Sequence, residues 1–353
     1  MTISSRSTHT SDRSVLSAMT AENFEEIVFL QNSRIGLKAI IAIHSTRLGP
    51  AHGGIRCKPY RGEQDALADV MRLAHAMSRK AALAGVPAGG GKAVMIAHPG
   101  LNRRAAYETL GRSIERWGGR FYTGPDVGTT ERDLAAVRRN TKYVVEPQKG
   151  KGPGDIAVAT AKGVIASIRA TLKFLYGDSS PTGRHVAVQG LGAIGGRVAE
   201  WLWTSSANLT VTEIDQKKLN PWNNRERVRV VPPGHILGAE CELFCPCALG
   251  GIISAKTKLN CDAIVGAANN PLTDDAVAAA LHRRAILFAP DFVVNAGGLI
   301  EGAGRHLGFA RKTSGMIEHI SETLLEIYRR AAREGTSPYQ MALKMADARI
   351  AQG

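Results

Sequence analysis

The chain of 353 residues is 44% hydrophobic and carries a formal net charge of +14, with enough apolar material for two packed cores. No apolar run reaches the roughly 20 residues that cross a bilayer, and the first residues lack the basic-then-apolar order of a secretory signal, so a soluble protein with no membrane partner is expected. Five cysteines, Cys57, Cys241, Cys245, Cys247 and Cys261, are an odd number in a large chain and fit reduced thiols in the cytoplasm better than a disulfide framework. Cys245 and Cys247 stand two apart with neither a paired histidine nor a second C-x-x-C, which argues against a metal site.

In chain order, residues 1–20 are Ser/Thr-rich and read as a disordered tail. "LKAIIAIHST" (Leu37 to Thr46) has the apolar content of a strand and runs into the Gly-rich "LGPAHGGIR". Along "EQDALADVMRLAHAMSRKAALAG", Leu67, Val70, Met71, Ala74 and Met77 recur at helical spacing, and Lys80 closes that helix. Lys92 follows three glycines in "AGGGKAVMI" and leads a strand-like segment, while "FYTGPDVGTT" sets Asp126 in a tight turn. Taken singly, either lysine reads as solvated and the aspartate as turn-forming.

"KGKGPGD" (149–155) has the composition of a linker or hinge. Beyond it, a helical pattern covers Val158 to Leu175, and the apolar run Val186–Val188 leads into Gly190, Gly192 and Gly195 and then a helical segment. This is G-x-G-x-x-G in its strand–turn–helix context: the first glycine permits the turn, the second lets backbone approach a pyrophosphate, and the third lets helix pack on strand. The following helix N-terminus offers free N–H groups to the phosphates. "LTVTE" reads as a second strand ending in Glu213, 23 residues past Gly190, the spacing of the acid that binds the adenosine ribose of NAD. Glu213 would repel a 2′-phosphate and so favours NAD over NADP, against which Lys217 and Lys218 pull.

The densest basic run, "NNRERVRV" (Asn223 to Val230), comes with no nucleic-acid-binding signature and reads as solvated surface, so no nucleic acid partner is expected. Next, "DAIVG" and "AILFAP" flank a helical pattern from Thr273 to Arg284, and both runs end in small or polar loops, "AANNP" and "NAGG". Alternation of this kind makes an α/β protein with a Rossmann-type, doubly wound parallel sheet, whose ligands bind beyond the carboxyl ends of the strands.

The ordered motifs "GGIR", "MSRKAALAG", "PAGGGKAV", "GPDVGTT", "VQGLGAIGG", "PCALGG", "GAANN" and "APDFVVNAGG" together resemble the glutamate/leucine/phenylalanine/valine dehydrogenase family, from about residue 25 to 350. The resemblance implies an N-terminal α/β substrate domain over 21–148, a dinucleotide-binding domain over 149–338, and a C-terminal helix over 339–353 that returns to the first domain. It also implies NAD-dependent, reversible oxidative deamination of an L-amino acid to its 2-oxo acid and ammonia, in a homo-oligomer. Relatives usually continue a helix where Pro221 stands here, so that helix is expected broken or delayed.

By the same resemblance, Lys80 binds the substrate carboxylate, Lys92 activates the water, and Asp126 exchanges protons with the substrate amine. Gly53 and Gly54 join the substrate site. Thr160, Ala267, Asn295 and the fingerprint residues Gly190, Gly192, Ala193, Ile194, Gly195 and Glu213 fall to the cofactor; either Asn269 or Asn270 contacts substrate and nicotinamide, with Asn269 favoured. Burial and a positive neighbour, expected to be Lys80, would hold Lys92 ready to accept a proton, and the glycines before it would leave room for close approach. His52, Gly124, Leu299 and Gly302 line the side-chain pocket. A mostly neutral imidazole disfavours glutamate, and two glycines leave volume for a large or aromatic side chain against which His52 could stack. A branched-chain substrate, or an inactive NAD-binding regulatory protein, are the alternatives. A Schiff-base role for a lysine would not require the nucleotide fingerprint.

Overall fold

The computed structural model describes residues 14–145 and 155–353; the first thirteen residues of the expected tail and residues 149–154 of the expected linker lie outside them. The chain divides into two compact units, one of residues up to 46, 51–75 and 90–143, the other of residues 47–50, 76–89 and 144 onward.

The first unit opens on α1 (Val15–Glu22), which begins inside residues 1–20, the stretch expected as a tail, and runs two residues past it. The Ser14 hydroxyl caps it by accepting the Ser17 N–H, and Val15, Ala18 and Met19 pack against a core containing Phe24, Ile40 and Val70. Strand β1 (Glu26–Asn32) is antiparallel to β2 (Leu37–Ser45), whose residues are buried except Lys38. That burial accounts for its continuous apolar run. After β3 (Ala51–His52) and β4 (Ile55–Lys58) comes α2 (Glu63–Leu83), which sets Leu67, Val70, Met71 and Ala74 against Ile40, Ala42 and Val94 of the sheet. Strand β5 (Gly89–Ile96) runs antiparallel to β2 and parallel to β4. Helix α3 (Arg103–Glu115), β6 (Phe121–Tyr122) and α4 (Glu131–Arg138) complete the unit, with β6 parallel to β3 and sheet order β1-β2-β5-β3-β6.

Besides the end of α2, the second unit contains α5 (Ile156–Tyr176), started by the Asp155 carboxylate, which accepts the N–H groups of Ala157 and Val158. Strands β7 (His185–Gln189), β8 (Asn208–Thr212), β9 (Val228–Val230), β10 (Leu243–Pro246), β11 (Ala263–Ile264) and β12 (Leu287–Phe288) form a parallel sheet in the order β12-β11-β10-β7-β8-β9. Helix α6 (Gly195–Thr204) joins β7 to β8. After β8, α7 (Gln216–Leu219) lasts four residues before a 3-10 turn at Pro221. Strand β9 lies inside the run expected to be only basic surface: Val228 and Val230 are half-buried around the exposed Arg229. The Arg225 guanidinium there sits over Trp203 and Trp222, 4.5 and 4.2 Å from their ring centroids, and pairs with Glu200 at 2.6 Å.

The remaining helices are α8 (Ala276–Arg283), α9 (Asp291–Val294), α10 (Gly297–His306), α11 (Thr313–Glu334) and α12 (Pro338–Gln352). The Tyr328 hydroxyl of α11 meets Thr171 of α5 at 2.8 Å in the core. Arg79, in the part of α2 that belongs to this unit, grips Asp347 of α12 through two bonds of 2.7 and 2.9 Å. Cys245 on β10 is fully buried, and its thiol donates to the Val265 carbonyl at 2.6 Å. Among the described residues no helix is long and apolar enough to cross a membrane.

Candidate active site

In the first unit, Lys92 projects from β5 and is 6% exposed, with Nζ 2.8 Å from Asp126 Oδ2. Burial lowers its pKa below the ordinary lysine value; Asp126 opposes that shift and Arg56 adds to it. Burial works against the Asp126 carboxylate too, but Lys92 and Arg56 outweigh it and hold its pKa below the usual carboxylate range. Arg56 Nε donates to the same Oδ2 at 3.0 Å, and Nη1 donates to Asp69 at 3.1 Å. The positive group that shares Asp126 with Lys92 is therefore Arg56, a residue not expected from the sequence.

The glycines around this lysine serve backbone packing. A Cβ on Gly53 would stand 1.7 Å from the Gly91 carbonyl oxygen, one on Gly91 would strike the Phe121 ring, and one on Gly54 would meet the Pro125 carbonyl at 2.4 Å. Of the glycines that precede Lys92, Gly91 thus allows the close approach of the Phe121 ring and of the Ala42 carbonyl. Gly124 is buried in the turn that follows β6 and accepts the Ile55 N–H. His52 is 2% exposed, and its ring stacks on Tyr122 with centroids 5.1 Å apart and planes 8° from parallel. One imidazole face, expected to be offered to substrate, is thus already covered by Tyr122.

In the second unit, Lys80 lies in the last turn of α2 and its charge acts on buried Asp291. Burial raises the Asp291 pKa, opposed by the Asn270 N–H, which donates to Oδ2 at 2.8 Å, and by Lys80. Asn295 Nδ2 donates to Asn269 Oδ1 at 2.9 Å and to the Ala267 carbonyl at 3.3 Å, bringing three of the expected residues together. Thr160 of α5 is buried, with its hydroxyl bonded to the Ile156 carbonyl. Leu299 and Gly302 lie on α10, where a Cβ on Gly302 would meet Val145 at 3.2 Å.

The fingerprint loop connects β7 to α6. Gly190 takes φ +91°, and a Cβ on Gly195 would stand 2.0 Å from the Gly190 carbonyl oxygen. A Cβ on Gly192 would meet nothing within 4 Å, so this backbone faces open space. Ala193 and Ile194 follow, and Ile194 precedes α6 without giving it a side-chain cap; the Gly196 N–H is taken by the Gly192 carbonyl at 2.9 Å, and the positive end of the helix faces the loop where an anion would sit. Glu213, after β8, receives the N–H of Leu191 at 2.7 Å, of Ile214 at 2.8 Å and of Asp215 at 3.1 Å. Those bonds overcome the effect of burial and lower its pKa. Among the described residues, the buried oxygens Gln189 Oε1, Thr212 Oγ1 and Asn295 Oδ1 of this unit have no hydrogen-bond partner in the chain.

Residues 27–143 match the family model for the Glu/Leu/Phe/Val dehydrogenase dimerisation domain, and residues 206–348 match that for Glutamate/Leucine/Phenylalanine/Valine dehydrogenase. The chain is 42% identical over 320 residues to a phenylalanine dehydrogenase of Lysinibacillus sphaericus, covering 88% of this chain and 84% of that protein. It is 38% identical over 338 residues to a leucine dehydrogenase of Thermoactinomyces intermedius, covering 94% and 92%. The crystal structure of L-tryptophan dehydrogenase from Nostoc punctiforme superposes with a TM-score of 0.85 at 35% identity, covering 96% of this chain and 99% of that one. The chain belongs to the Glu/Leu/Phe/Val dehydrogenase family of amino acid dehydrogenases.

Proposed function

We propose that the protein is a cytoplasmic, homo-oligomeric enzyme that uses NAD to deaminate a large or aromatic L-amino acid to its 2-oxo acid and ammonia, reversibly. The observation that carries the reading is the buried Lys92–Asp126 pair at 2.8 Å in a chain that also holds an intact dinucleotide fingerprint. Oligomer formation is supported by the first matched domain, which the family model describes as a dimerisation domain.

The second unit suits a dinucleotide. The open face of Gly192, the uncapped start of α6 and the Glu213 carboxylate would take its pyrophosphate and adenosine ribose. Ala267, Asn269, Asn295 and Thr160 would hold the nicotinamide end. NAD, when bound, supplies the acceptor for the hydride that leaves the substrate Cα.

The chain's own residues manage protons. Loss of hydride from Cα leaves an iminium, to which water must add. Lys92, its pKa depressed by burial, takes the proton from that water as it attacks. Asp126, within reach of the same amine, exchanges protons with the substrate nitrogen so that it departs as ammonia. Lys80 supplies positive charge for the substrate carboxylate, and Gly53 and Gly54 offer backbone groups beside Lys92.

A large or aromatic side chain is supported by the similarity to phenylalanine and L-tryptophan dehydrogenases; His52 and Gly124 of the first unit, and Leu299 and Gly302 of the second, are proposed to act in side-chain selection. A branched-chain preference is the second reading, favoured by the similarity to leucine dehydrogenase. Purified protein assayed with NAD against phenylalanine, tyrosine, tryptophan, leucine, valine and glutamate separates them: kcat/KM should be highest among the first three. A clear preference for leucine or valine overturns the aromatic assignment. Lys92→Ala should abolish turnover with NAD binding intact, and Lys80→Ala should raise the amino acid KM and also lower kcat. Substantial turnover by Lys92→Ala would overturn the mechanism.

A further inference from the structure

We infer that Arg56 is a positioning residue for the reaction, its guanidinium bridging Asp69 to Asp126 and thereby fixing the Lys92–Asp126 pair. The inference rests on the proposed proton-transfer role of that pair and adds a residue to it. Arg56 comes from β4, Asp69 from α2 and Asp126 from the turn after β6, so one side chain ties together three separate elements of the first unit.

Both carboxylates are largely buried, as is Arg56, and the bridge uses two edges of one planar group. Nε donates to Asp126 Oδ2 at 3.0 Å, while Nη1 reaches Asp69 Oδ2 at 3.1 Å and Oδ1 at 3.4 Å. Asp69 is the anchor. It also receives the Tyr60 hydroxyl at 2.8 Å and Arg72 Nη2 at 2.8 Å, and Lys58 Nζ stands 3.6 Å away. Asp126, by contrast, receives Arg56 and Lys92 on a single oxygen. The anchored carboxylate holds the arginine, and the arginine holds the working carboxylate.

A lysine could supply the charge but not the fork, since its ammonium is one point at the end of a flexible stem. The charges acting on Lys92 are Asp126 and Asp69, which favour its ammonium form, and Arg56, which disfavours it. Without Arg56, Asp126 pairs with Lys92 without sharing its oxygen, and the positive charge of Arg56 no longer opposes protonation. Lys92 then holds its proton to higher pH, and the free base that accepts a proton from water is scarcer at any given pH.

The test is the pH profile of kcat/KM for deamination, recorded with NAD and the amino acid that wild type turns over fastest. Wild type, Arg56→Gln, Arg56→Lys and Lys92→Ala are compared with one substrate, so that its own amine titrates identically throughout. Thermal unfolding and NAD binding serve as controls for folding. For Arg56→Gln the ascending limb should move to higher pH, and kcat should fall about tenfold or more, the scale expected when a proton-transfer group is misplaced. Arg56→Lys should keep its limb near wild type's but not recover kcat, with the amino acid KM little changed. A folded Arg56→Gln whose profile superimposes on wild type's after scaling overturns the inference. If Arg56→Gln does not fold, Arg56→Lys decides, and wild-type kcat in that variant overturns it. Substantial turnover by Lys92→Ala would instead overturn the proposed role of the pair itself.

Discussion

The Leu191 N–H donates to Glu213 Oε2 at 2.7 Å, fastening the middle of the fingerprint loop to the end of the neighbouring strand. The carboxylate proposed to recognise the ribose is thus also a brace for the loop proposed to hold the pyrophosphate. Wild type should prefer NAD over NADP in kcat/KM, and Glu213→Ala should weaken NAD binding and narrow that preference. Steady-state kinetics with both cofactors measures this. Equal use of NAD and NADP by wild type would mean that Lys217 or Lys218 governs the pocket instead.

Two glycines of the same loop should separate folding from binding. At Gly195 an added methyl meets the Gly190 carbonyl at 2.0 Å, so Gly195→Ala should lose about 2 kcal/mol of stability or more and bind cofactor poorly. At Gly192 the methyl meets nothing within 4 Å, so Gly192→Ala should fold with stability within about 0.5 kcal/mol of wild type. Its methyl would occupy space proposed for the pyrophosphate, and affinity for NADH should fall about tenfold, or roughly 1.4 kcal/mol. Thermal melts paired with fluorescence titrations check both, and wild-type NADH affinity in Gly192→Ala would contradict the assignment.

Asp69 should leave a mark on acid stability. Burial alone would raise its pKa, but hydrogen bonds from Tyr60 and Arg72 and the charges of Arg56 and Arg72 outweigh burial and hold the carboxyl at about 2. A folded-state pKa below the unfolded value stabilises the native state above the unfolded pKa, and that stability drains away as pH falls from about 4 toward 2. The contribution is on the order of 2 kcal/mol at neutral pH. Denaturant unfolding of wild type and Asp69→Asn at pH 6, 4 and 3 should show the gap between them shrinking toward the lower end. A gap that stays constant would mean that Asp69 binds protons alike in both states.

The fingerprint was legible because everything it needs lies within one short strand–turn–helix segment, where glycine spacing and apolar runs coincide. Glu213 followed from a fixed distance along the chain. Arg56 left no such trace: its partner Asp126 is 70 residues away, and an arginine after two glycines looks the same whether it meets solvent or a buried carboxylate. The stacking of Tyr122 on His52 was hidden for the same reason. Strand β9 escaped notice because two valines around one arginine are too short an alternation to stand out from basic surroundings. The helical period of α2 runs without a proline or glycine across His75, so nothing local marks where the residues of the first unit give way to those of the second.

The burial of Cys245 makes the second unit's sheet observable without adding any label to its design. Its thiol lies wholly inside, on a central strand bonded to the neighbouring one, and burial raises its pKa well above the ordinary value. A disulfide reagent can therefore reach it only when β10 and its neighbours part. The rate of modification of Cys245, resolved by peptide mapping from the more exposed Cys247 and Cys261, then reports the free energy of that opening, in the manner of amide exchange but at one known atom. A ligand that binds the closed sheet slows the reaction in proportion to its saturation. Occupancy of the nucleotide fold could thus be read by a chemical clock that requires no turnover.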